Sequence, residues 1–435
     1  MKPTEHPRRH TTPLDSRYAT AAMGAVLAVT VLHGMIHGYS IFLSPLNDQM
    51  RLYFGADTIS AITAMKTTYL AVYAAGNLLF GVLTNRVSAR LTLASGMVLN
   101  GVAVALFSTV GPDGITQMHL LWALAAFGGS VYHPIANVLI TRLYPTRKGM
   151  VLGISGVGAA VGFAFAPLVT GLLSGALGFT WQQVALVFGA AGVAIGIASW
   201  YFIPPPSDQG VAAVEPAPVD ATALNHEPAA HNRESSVTQP RLSVVVLTMV
   251  MAIACLREIA MWSILDISDF FLTAVLADST RTGFFLFLLY LPGVFVKPMV
   301  GVLSDRLGRK RLVSSSLVFY GLTIAATAVG GPLTLIPIYL LMGVGQAATI
   351  PSIEAIVADT TTERNRGLVF GVFTTAGIGF GALGPLISGA AIDALGGTEA
   401  AFRLWMVVLG GLPLIGGLVF ASLRFPTSRP RTAHG

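Results

Sequence analysis

The sequence predicts an all-α integral membrane protein, with twelve transmembrane helices in two six-helix bundles. Of its 435 residues, 54% are hydrophobic and only 11% are charged, whereas soluble domains carry roughly 25% charged residues. Apolar runs of about 20 residues, long enough to cross a bilayer as a helix, recur along the whole chain. A charged loop in the second half also has a weaker copy in the first half, which indicates an internal repeat.

The apolar runs place the spans at 19–45, 59–83, 91–111, 118–141, 150–174 and 181–203 in the first half. In the second half they lie at 242–270, 282–304, 311–331, 333–358, 367–392 and 401–423. Residues 204–241 are rich in Pro, Ala, Ser, Asn and Glu, which predicts a flexible cytoplasmic linker. The expected domains are therefore a tail at 1–18, bundles at 19–203 and 242–423, the linker, and a tail at 424–435.

Basic residues predict the orientation. Most of the 26 lysines and arginines fall in the tails, the linker and the loops on one side, and the opposite loops hold only Arg51, Arg281 and Arg403. Because basic loops stay in the cytoplasm, both termini are expected to be cytoplasmic in a multi-pass protein of the inner (plasma) membrane. The net charge of +6 is explained by this topology, so no nucleic-acid partner is expected.

The repeated loop spans residues 301–311 and holds Asp305, Arg306 and Arg309 between glycines that allow a tight reversal. Its copy at 81–90 has Asn85 at the acidic position, followed by Arg86. The fifth and eleventh spans match in being rich in glycine, and each holds a proline. Such residues allow close helix packing, and they also allow a hinge; both interpretations remain open.

Polar side chains within the first bundle form stripes at helical spacing, and each needs a reason because an ionisable group inside a membrane is costly. They suit a shared aqueous cavity, although hydrogen bonding between helices would produce the same pattern. Neutral histidine can take a proton or a transition metal, but no third ligand is recognisable, so no metal or other cofactor is expected. The candidate substrate-binding residues here are His33, His37, Lys66, Tyr69, Tyr73, His133 and Asn137.

The second bundle adds Arg257 as a substrate-binding candidate, and Glu258 and Glu354 join His33 and His37 as candidate proton carriers. Adjacent helical residues point about 100° apart, so Arg257 and Glu258 need not pair. Glu354 could instead form a structural salt bridge. Lys297 could reach the headgroups, and Asp266 and Asp269 could lie at the outer water interface. The bases Lys66 and Arg257 favour an anionic substrate.

Other function classes lack support in the sequence. There is no phosphate-binding Gly-x-x-x-x-Gly-Lys-Ser/Thr segment, which argues against ATP-driven transport. Neither Gly-x-Ser-x-Gly nor His-Glu-x-x-His occurs, so an enzyme is not expected. The lone Cys255 lies in an apolar run and allows no disulfide framework. A receptor or scaffold is the remaining alternative to a transporter.

With its two copies of the charged loop, its Gly/Pro-rich fifth span and its two sets of six spans, the chain resembles the major facilitator superfamily. That resemblance implies alternating access around a central site. It also implies that Asp305, with Arg306 and Arg309, latches the inner face, and that the latch at Asn85 and Arg86 is weaker. Residues 126–134 and 366–371 are similar to the fosmidomycin-resistance efflux group, and residues 39–46 and 143–149 to the oxalate and monocarboxylate group.

These observations together predict a secondary active transporter that couples protons to the movement of a small organic anion, carboxylate-like in character. The alternative is a proton-driven drug or metabolite efflux antiporter of the fosmidomycin-resistance type. The expected partners are a small anionic substrate, protons and the lipid bilayer, and the chain is expected to be a monomer.

Overall fold

The computed structural model describes residues 13–205, 244–276, 281–361 and 363–423. Most of the predicted linker and tails therefore lie outside the described residues. Within the described ranges the chain is all-helical, with fifteen α-helices and three short 3₁₀ segments. The predicted fold class, a twelve-span helical membrane protein, is confirmed.

The first half holds α1 (Pro13–Tyr39), α2 (Asn47–Tyr53), α3 (Ile59–Leu83), α4 (Ala89–Leu106), α5 (Ile115–Ser130), α6 (Tyr132–Leu143), α7 (Lys148–Gly175) and α8 (Trp181–Phe202). The second half holds α9 (Val244–Leu276), α10 (Thr282–Leu307), α11 (Arg309–Ala326), α12 (Leu335–Thr360), α13 (Glu363–Gly381), α14 (Leu383–Ala394) and α15 (Glu399–Ser422). Each half contributes six spans, because α2 is short and the pairs α5–α6 and α13–α14 each make one.

Two of the predicted spans are broken helices. The fourth breaks at Val131 and the eleventh at Ala382. In both cases a proline, Pro134 or Pro385, lies four residues beyond the last residue of the preceding helix. Since proline has no N–H to donate to the carbonyl four residues back, the helical ladder is interrupted at that point. The break changes the direction of the polar first residues of α6, and the span continues beyond it.

Ten helical segments in the described residues are long and apolar enough to cross a membrane. The two remaining spans are α3 and α10, and the Thr282–Lys297 part of α10 is a shorter apolar helix. Both helices carry buried or half-buried ionisable side chains, Lys66 on α3 and Lys297 on α10. They need interior positions between other helices, because lipid would leave these groups unsolvated.

The glycines of the fifth span differ in how closely they pack against other helices. A methyl group added at Gly158 would meet the Thr30 carbonyl oxygen, and one at Gly162 would meet the Gly34 carbonyl, so α7 crosses α1 backbone to backbone. At Gly153 and Gly156 an added methyl would meet no atom within 4 Å. Close packing therefore explains Gly158 and Gly162, and the hinge interpretation stays a prediction for the others.

The repeated loop contains the predicted reversal. Helix α10 ends at Leu307, Gly308 adopts a positive φ of 83°, and α11 begins at Arg309. Only glycine takes this conformation readily, so a single residue makes the turn. Arg306 is exposed, but the Asp305 side chain lies outside the described part of the structure. The predicted latch at Asp305 therefore stays a prediction.

The weaker copy of the loop is engaged within its own half. The Asn85 Oδ1 atom accepts a hydrogen bond from Arg142 Nη2 at 2.6 Å, and both Asn85 and Arg86 are exposed. The contact joins the end of α3 to the end of α6. A latch from Asn85 to the second half stays a prediction.

Candidate functional site

Three histidines from two helices come together at the centre of the first half. His33 and His37 are one turn apart on α1, and His133 lies at the start of α6, just after the break. The ring centroids are 4.8 Å apart for His33 and His37, 5.1 Å for His33 and His133, and 5.5 Å for His37 and His133. One nitrogen from each ring lies within 4.8 Å of the others. We call this group the histidine cluster.

The protonation pattern of His33 is set by its partners. Its Nδ1 lies 2.8 Å from the Ser155 carbonyl oxygen and 3.0 Å from Ser155 Oγ. Because a carbonyl only accepts hydrogen bonds, Nδ1 carries the proton and donates it to Ser155. The other nitrogen, Nε2, is buried and has no hydrogen-bond partner among the described residues. In neutral His33 this nitrogen presents an unused lone pair.

A second layer holds Ser155 in place. The Tyr132 hydroxyl donates to the Val29 carbonyl at 2.9 Å and lies 2.9 Å from Ser155 Oγ. Since the tyrosine proton is already given to Val29, the Ser155 hydroxyl donates to Tyr132. This chain of bonds depends on the close crossing of α7 and α1 at Gly158 and Gly162, which brings Ser155 to His33.

Aromatic side chains connect the cluster to the second half. The Phe163 ring lies 4.5 Å from that of His37 and stacks at 4.8 Å on Tyr290 of α10. Tyr73 meets His133 edge-on at 6.3 Å. The hydroxyl groups of Tyr73 and Tyr290 are buried without a hydrogen-bond partner in the described part of the chain. Phe163 and Tyr290 therefore bring aromatic rings to the interface of the halves, where the Tyr290 hydroxyl has no partner among the described residues.

Lys66 is not part of this cluster. Its ammonium donates to the Ser40 carbonyl and lies 5.1 Å from the centroid of the Trp122 ring. Lys66 and Asp266 line the same cavity of about 10 Å³, room for at most one water molecule. The sequence predicts a substrate-binding role for Lys66, whereas in the structure other groups of the protein hold its ammonium.

Arg257 is likewise occupied. It pairs with Glu258, and its Nε donates to Thr349 Oγ1 at 3.1 Å. Its side chain is buried within the second half, where a further nitrogen lies 3.4 Å from the Gln346 carbonyl. The expectation that Arg257 and Glu258 need not pair allowed either outcome, and in the structure they do pair.

Lys297 and Glu354 belong to one charged group of the second half. Lys297 lies within electrostatic range of Arg257, Glu258 and Glu354, and also of His33 and His37 across the interface. Glu354 is half-buried on α12. Mutual attraction between these acids and bases offsets part of the cost of holding charge away from water.

One end of the molecule, opposite the ends of α8 and α15, is closed by carboxylates of the second half. We call it the far end. Asn47 Nδ2 donates to the Asp266 backbone carbonyl at 2.7 Å and to its carboxylate Oδ1 at 3.3 Å, and the Asp48 amide donates to Asp269 Oδ2 at 2.9 Å. Asp269 also accepts from Thr282 at 2.8 Å. Because Asp266 and Asp269 are 2% and 0% exposed, the alternative that they lie at the outer water interface is wrong.

Asp393 makes a third contact at the far end, which sequence reasoning missed. Its two carboxylate oxygens accept from the amides of Ile59 at 2.8 Å and Ser60 at 2.9 Å. These amides open α3, and a helix N-terminus has free N–H groups and attracts negative charge. A carboxylate from one half thus caps a helix of the other.

The structure therefore separates the predicted site into three groups. His33, His37, His133 and Tyr73 meet at the centre, while Arg257, Glu258 and Glu354 form the charged group of the second half. Lys66 lies at the far end with Tyr69, whose ring meets Trp122 at 5.3 Å. Asn137 is half-buried one turn beyond His133. Ser155, Phe163, Tyr290 and Asp393 were missed, because their partners lie far away in the sequence.

Comparisons with known proteins identify the family. The sequence model of the Major Facilitator Superfamily matches residues 26–275 and 247–435. A curated relative, "Multidrug resistance protein MdtG" of Yersinia enterocolitica, is 26% identical over 338 residues and covers 76% of both chains. It belongs to neither of the two groups that the local segments resemble, so those finer resemblances lack support from this relative.

Two solved structures share the fold. A bacterial homologue of the human lysosomal transporter Spinster, in an inward-facing and unoccupied conformation, matches with a TM-score of 0.72 at 14% identity, covering 95% of this chain and 97% of that one. A point mutant of the nucleoside transporter NupG matches with a TM-score of 0.69 at 18% identity, covering 91% of this chain and 98% of that one. At these identities the likeness concerns the fold alone.

Proposed function

The chain belongs to the Major Facilitator Superfamily, a family of transporters rather than enzymes, and we propose that it is a proton-coupled exporter of drug-like or metabolite molecules. It works by alternating access between its two halves. The multidrug resistance protein similar to this chain supports export over uptake. The organic-anion symport expected from the sequence becomes the second candidate.

The observation that carries the proposal is that both bases expected to meet an anion are already engaged. Lys66 is held by Ser40 and Trp122 and shares a small cavity with Asp266, and Arg257 is held by Glu258 and Thr349. The half interface instead presents aromatic faces, which suit a molecule with apolar surface. The second candidate, anion transport, is favoured by Lys297, since its positive charge lies between the halves.

We assign the coupled proton to Glu258 or Glu354. Both acids lie in electrostatic range of Lys297, so a gained or lost proton changes the net charge of the group at the half interface. The sequence also proposed His33 and His37 as carriers. His33 donates its Nδ1 proton to Ser155 and keeps a free lone pair on Nε2, so the histidines stay the second candidates for the coupled proton.

The proposed orientation follows from the basic loops and places the ends of α8 and α15 in the cytoplasm. The far end then faces outward, and the contacts of Asp266, Asp269 and Asp393 keep it shut. Export requires these contacts to break after substrate has entered from the cytoplasmic side. We propose a monomer as the working unit, since each chain has both halves of the pathway.

Liposomes that hold the purified full chain and an internal pH dye test this proposal. They are loaded at acid pH and challenged with lipophilic dyes, phosphonates, and mono- and dicarboxylates. Alkalinisation inside on addition of a lipophilic compound is expected, because the antiporter exchanges substrate for protons. Glu354→Gln is expected to lower the initial rate at least tenfold, while the control Glu399→Gln, on an exposed acid paired with Arg403, keeps it.

Acidification that follows an added carboxylate would overturn export in favour of anion symport. If no compound in the panel changes the internal pH, both candidates would be overturned. This holds for protein that unfolds cooperatively and runs as a single species. Equal rates for Glu354→Gln and the parent chain would remove Glu354 from the coupling step and leave Glu258.

A further inference from the structure

We propose that the histidine cluster binds one divalent transition-metal ion through imidazole nitrogens of His33, His37 and His133. The proposal rests on the arrangement of these side chains and does not depend on the direction of transport or on the coupled ion. Zinc and its neighbours in the first transition row favour neutral imidazole as a ligand.

The first argument is the free lone pair. His33 Nε2 belongs to a side chain that is 8% exposed, and it has no hydrogen-bond partner among the described residues. Leaving a buried nitrogen unpaired costs free energy. A metal ion would take up that lone pair, and a hydrogen-bonded Nδ1–H is the usual state of a metal-binding histidine. The bond to Ser155 supplies this state before any ion arrives.

The second argument is distance. Imidazole nitrogens bind zinc at about 2.0–2.1 Å, which puts tetrahedral ligands roughly 3.3 Å apart. One nitrogen of each ring lies within 4.8 Å of the others, so these atoms must approach one another by up to about 1.5 Å to reach that spacing. His37 and His133 are only half-buried, which leaves room for this rotation, while His33 stays fixed. The three rings leave the fourth position for water or a ligand atom.

The third argument concerns selectivity for this cluster. The protein has nine histidines, of which His119 is the remaining one in the described ranges. Its Nδ1 lies 2.8 Å from Thr68 Oγ1, a contact that joins α5 to α3. The five others lie outside those ranges, at His6, His10, His226, His231 and His434. His119 thus provides a matched control on a neighbouring helix.

Lys297 allows us to predict in which direction metal affinity changes when its charge is removed. Its ammonium lies within electrostatic range of His33 and His37, so a second cation at the cluster is repelled. Replacing it by the uncharged Lys297→Gln is expected to tighten metal binding by about three- to tenfold. A merely structural disturbance of the cluster would weaken binding.

The test uses the purified full chain without a polyhistidine tag, with the five histidines outside the described ranges changed to alanine. Titration with Co²⁺, followed by its visible absorption bands, and competition by Zn²⁺ give stoichiometry and affinity. One ion per chain with tetrahedral bands is expected. His37→Gln and His133→Gln should each weaken binding at least tenfold, and His119→Gln should change it less than twofold.

Absent tetrahedral bands, or affinity that is unchanged in His37→Gln and His133→Gln, would overturn the proposal. So would weaker binding in Lys297→Gln. Each variant is accepted only if its thermal unfolding stays cooperative and within a few degrees of the parent, and the double variant His37→Gln/His133→Gln serves where a single one is ambiguous. Since binding is measured on purified protein, failure here leaves the liposome assay untouched.

Discussion

A lysine buried inside a membrane protein must find its partners in the protein, because neither lipid nor bulk water can solvate the ammonium. Lys66 is 4% exposed; its ammonium donates to the Ser40 carbonyl and lies over the Trp122 ring, and the Asp266 carboxylate lines the same small cavity. Asp266 in turn has one carboxylate oxygen without a hydrogen bond in the described residues. At the residue scale the two charges therefore depend on each other.

Lys66→Met is expected to destabilise the fold by about 3 kcal/mol, because it leaves the Asp266 carboxylate buried without a counter-charge. Asp266→Asn should destabilise the fold by a similar amount, because it leaves the Lys66 ammonium buried without a counter-charge. The double variant should cost clearly less than the sum of the two, since no unpaired charge remains. Thermal unfolding of the purified variants measures all three.

An additive result for the double variant would show that Lys66 and Asp266 are independent. Lys66→Arg is the control for simple loss of charge, and it should still destabilise because the small cavity has no space for a guanidinium. If Lys66→Met instead kept full stability and lost all anion transport, Lys66 would return to the substrate site.

At the element scale, two glycines decide how closely α1 and α7 approach. Gly158 and Gly162 face the backbone of α1, whereas Gly156 on the same helix faces open space. The same crossing positions Ser155 for His33, so helix packing and the geometry of the cluster depend on one contact. A side chain at the crossing has to push the two backbones apart.

Gly162→Ala is expected to destabilise the protein by about 1–3 kcal/mol, because its methyl group would meet the Gly34 carbonyl. Gly156→Ala is the matched control and should be neutral or stabilising by up to about 1 kcal/mol, since alanine is the better helix former. Unfolding midpoints in detergent measure the difference. Equal midpoints for the two variants would contradict the close crossing.

The helices themselves could be predicted from the sequence because hydropathy and span length are local properties. The second span, 59–83, coincides with α3, and most other ends agree within a few residues. The breaks at Val131 and Ala382 were read as continuous spans, although Pro134 and Pro385 carried the signal. An apolar run shows that a segment crosses the membrane, but not that its helical ladder is interrupted within it.

The site was harder to predict because its partners are far apart in the sequence. His133 lies about 100 residues from His33, so no spacing rule could identify it as a third ligand. Arg257 and Lys66 were assigned to a substrate because their partners, Thr349 and Asp266, belong to distant helices. A single sequence shows which polar groups are buried in the membrane, but not which of them satisfy each other.

At the scale of the whole molecule, the two halves are held together at the far end by three aspartates of the second half. The carboxylates of Asp266, Asp269 and Asp393 accept hydrogen bonds from Asn47 Nδ2, the Asp48 amide, and the first amides of α3. Bonds to a charged group are worth about 1.5–3 kcal/mol each. Alternating access therefore requires the other conformation to recover a similar free energy elsewhere.

Weakening one of these contacts should shift the population toward the state that is open at the far end. Asp393→Asn removes the charge and one acceptor oxygen from the N-terminus of α3, a loss of about 1.4 kcal/mol or more. That corresponds to about a tenfold change in population. The reporter is Thr63→Cys in a Cys255→Ser background, because Thr63 is fully buried against Gly389 of the other half.

Maleimide labelling of this reporter in purified protein is expected to run about tenfold faster in Asp393→Asn than in the parent. Asp269→Asn should act in the same direction, because it weakens the acceptor of the Asp48 amide. Glu399→Gln, which changes an acid that pairs within its own half, should leave the rate unchanged. Equal rates in all four proteins would mean that these carboxylates do not set the balance between the two conformations. The packing of α3 against α14 would then be left to set it.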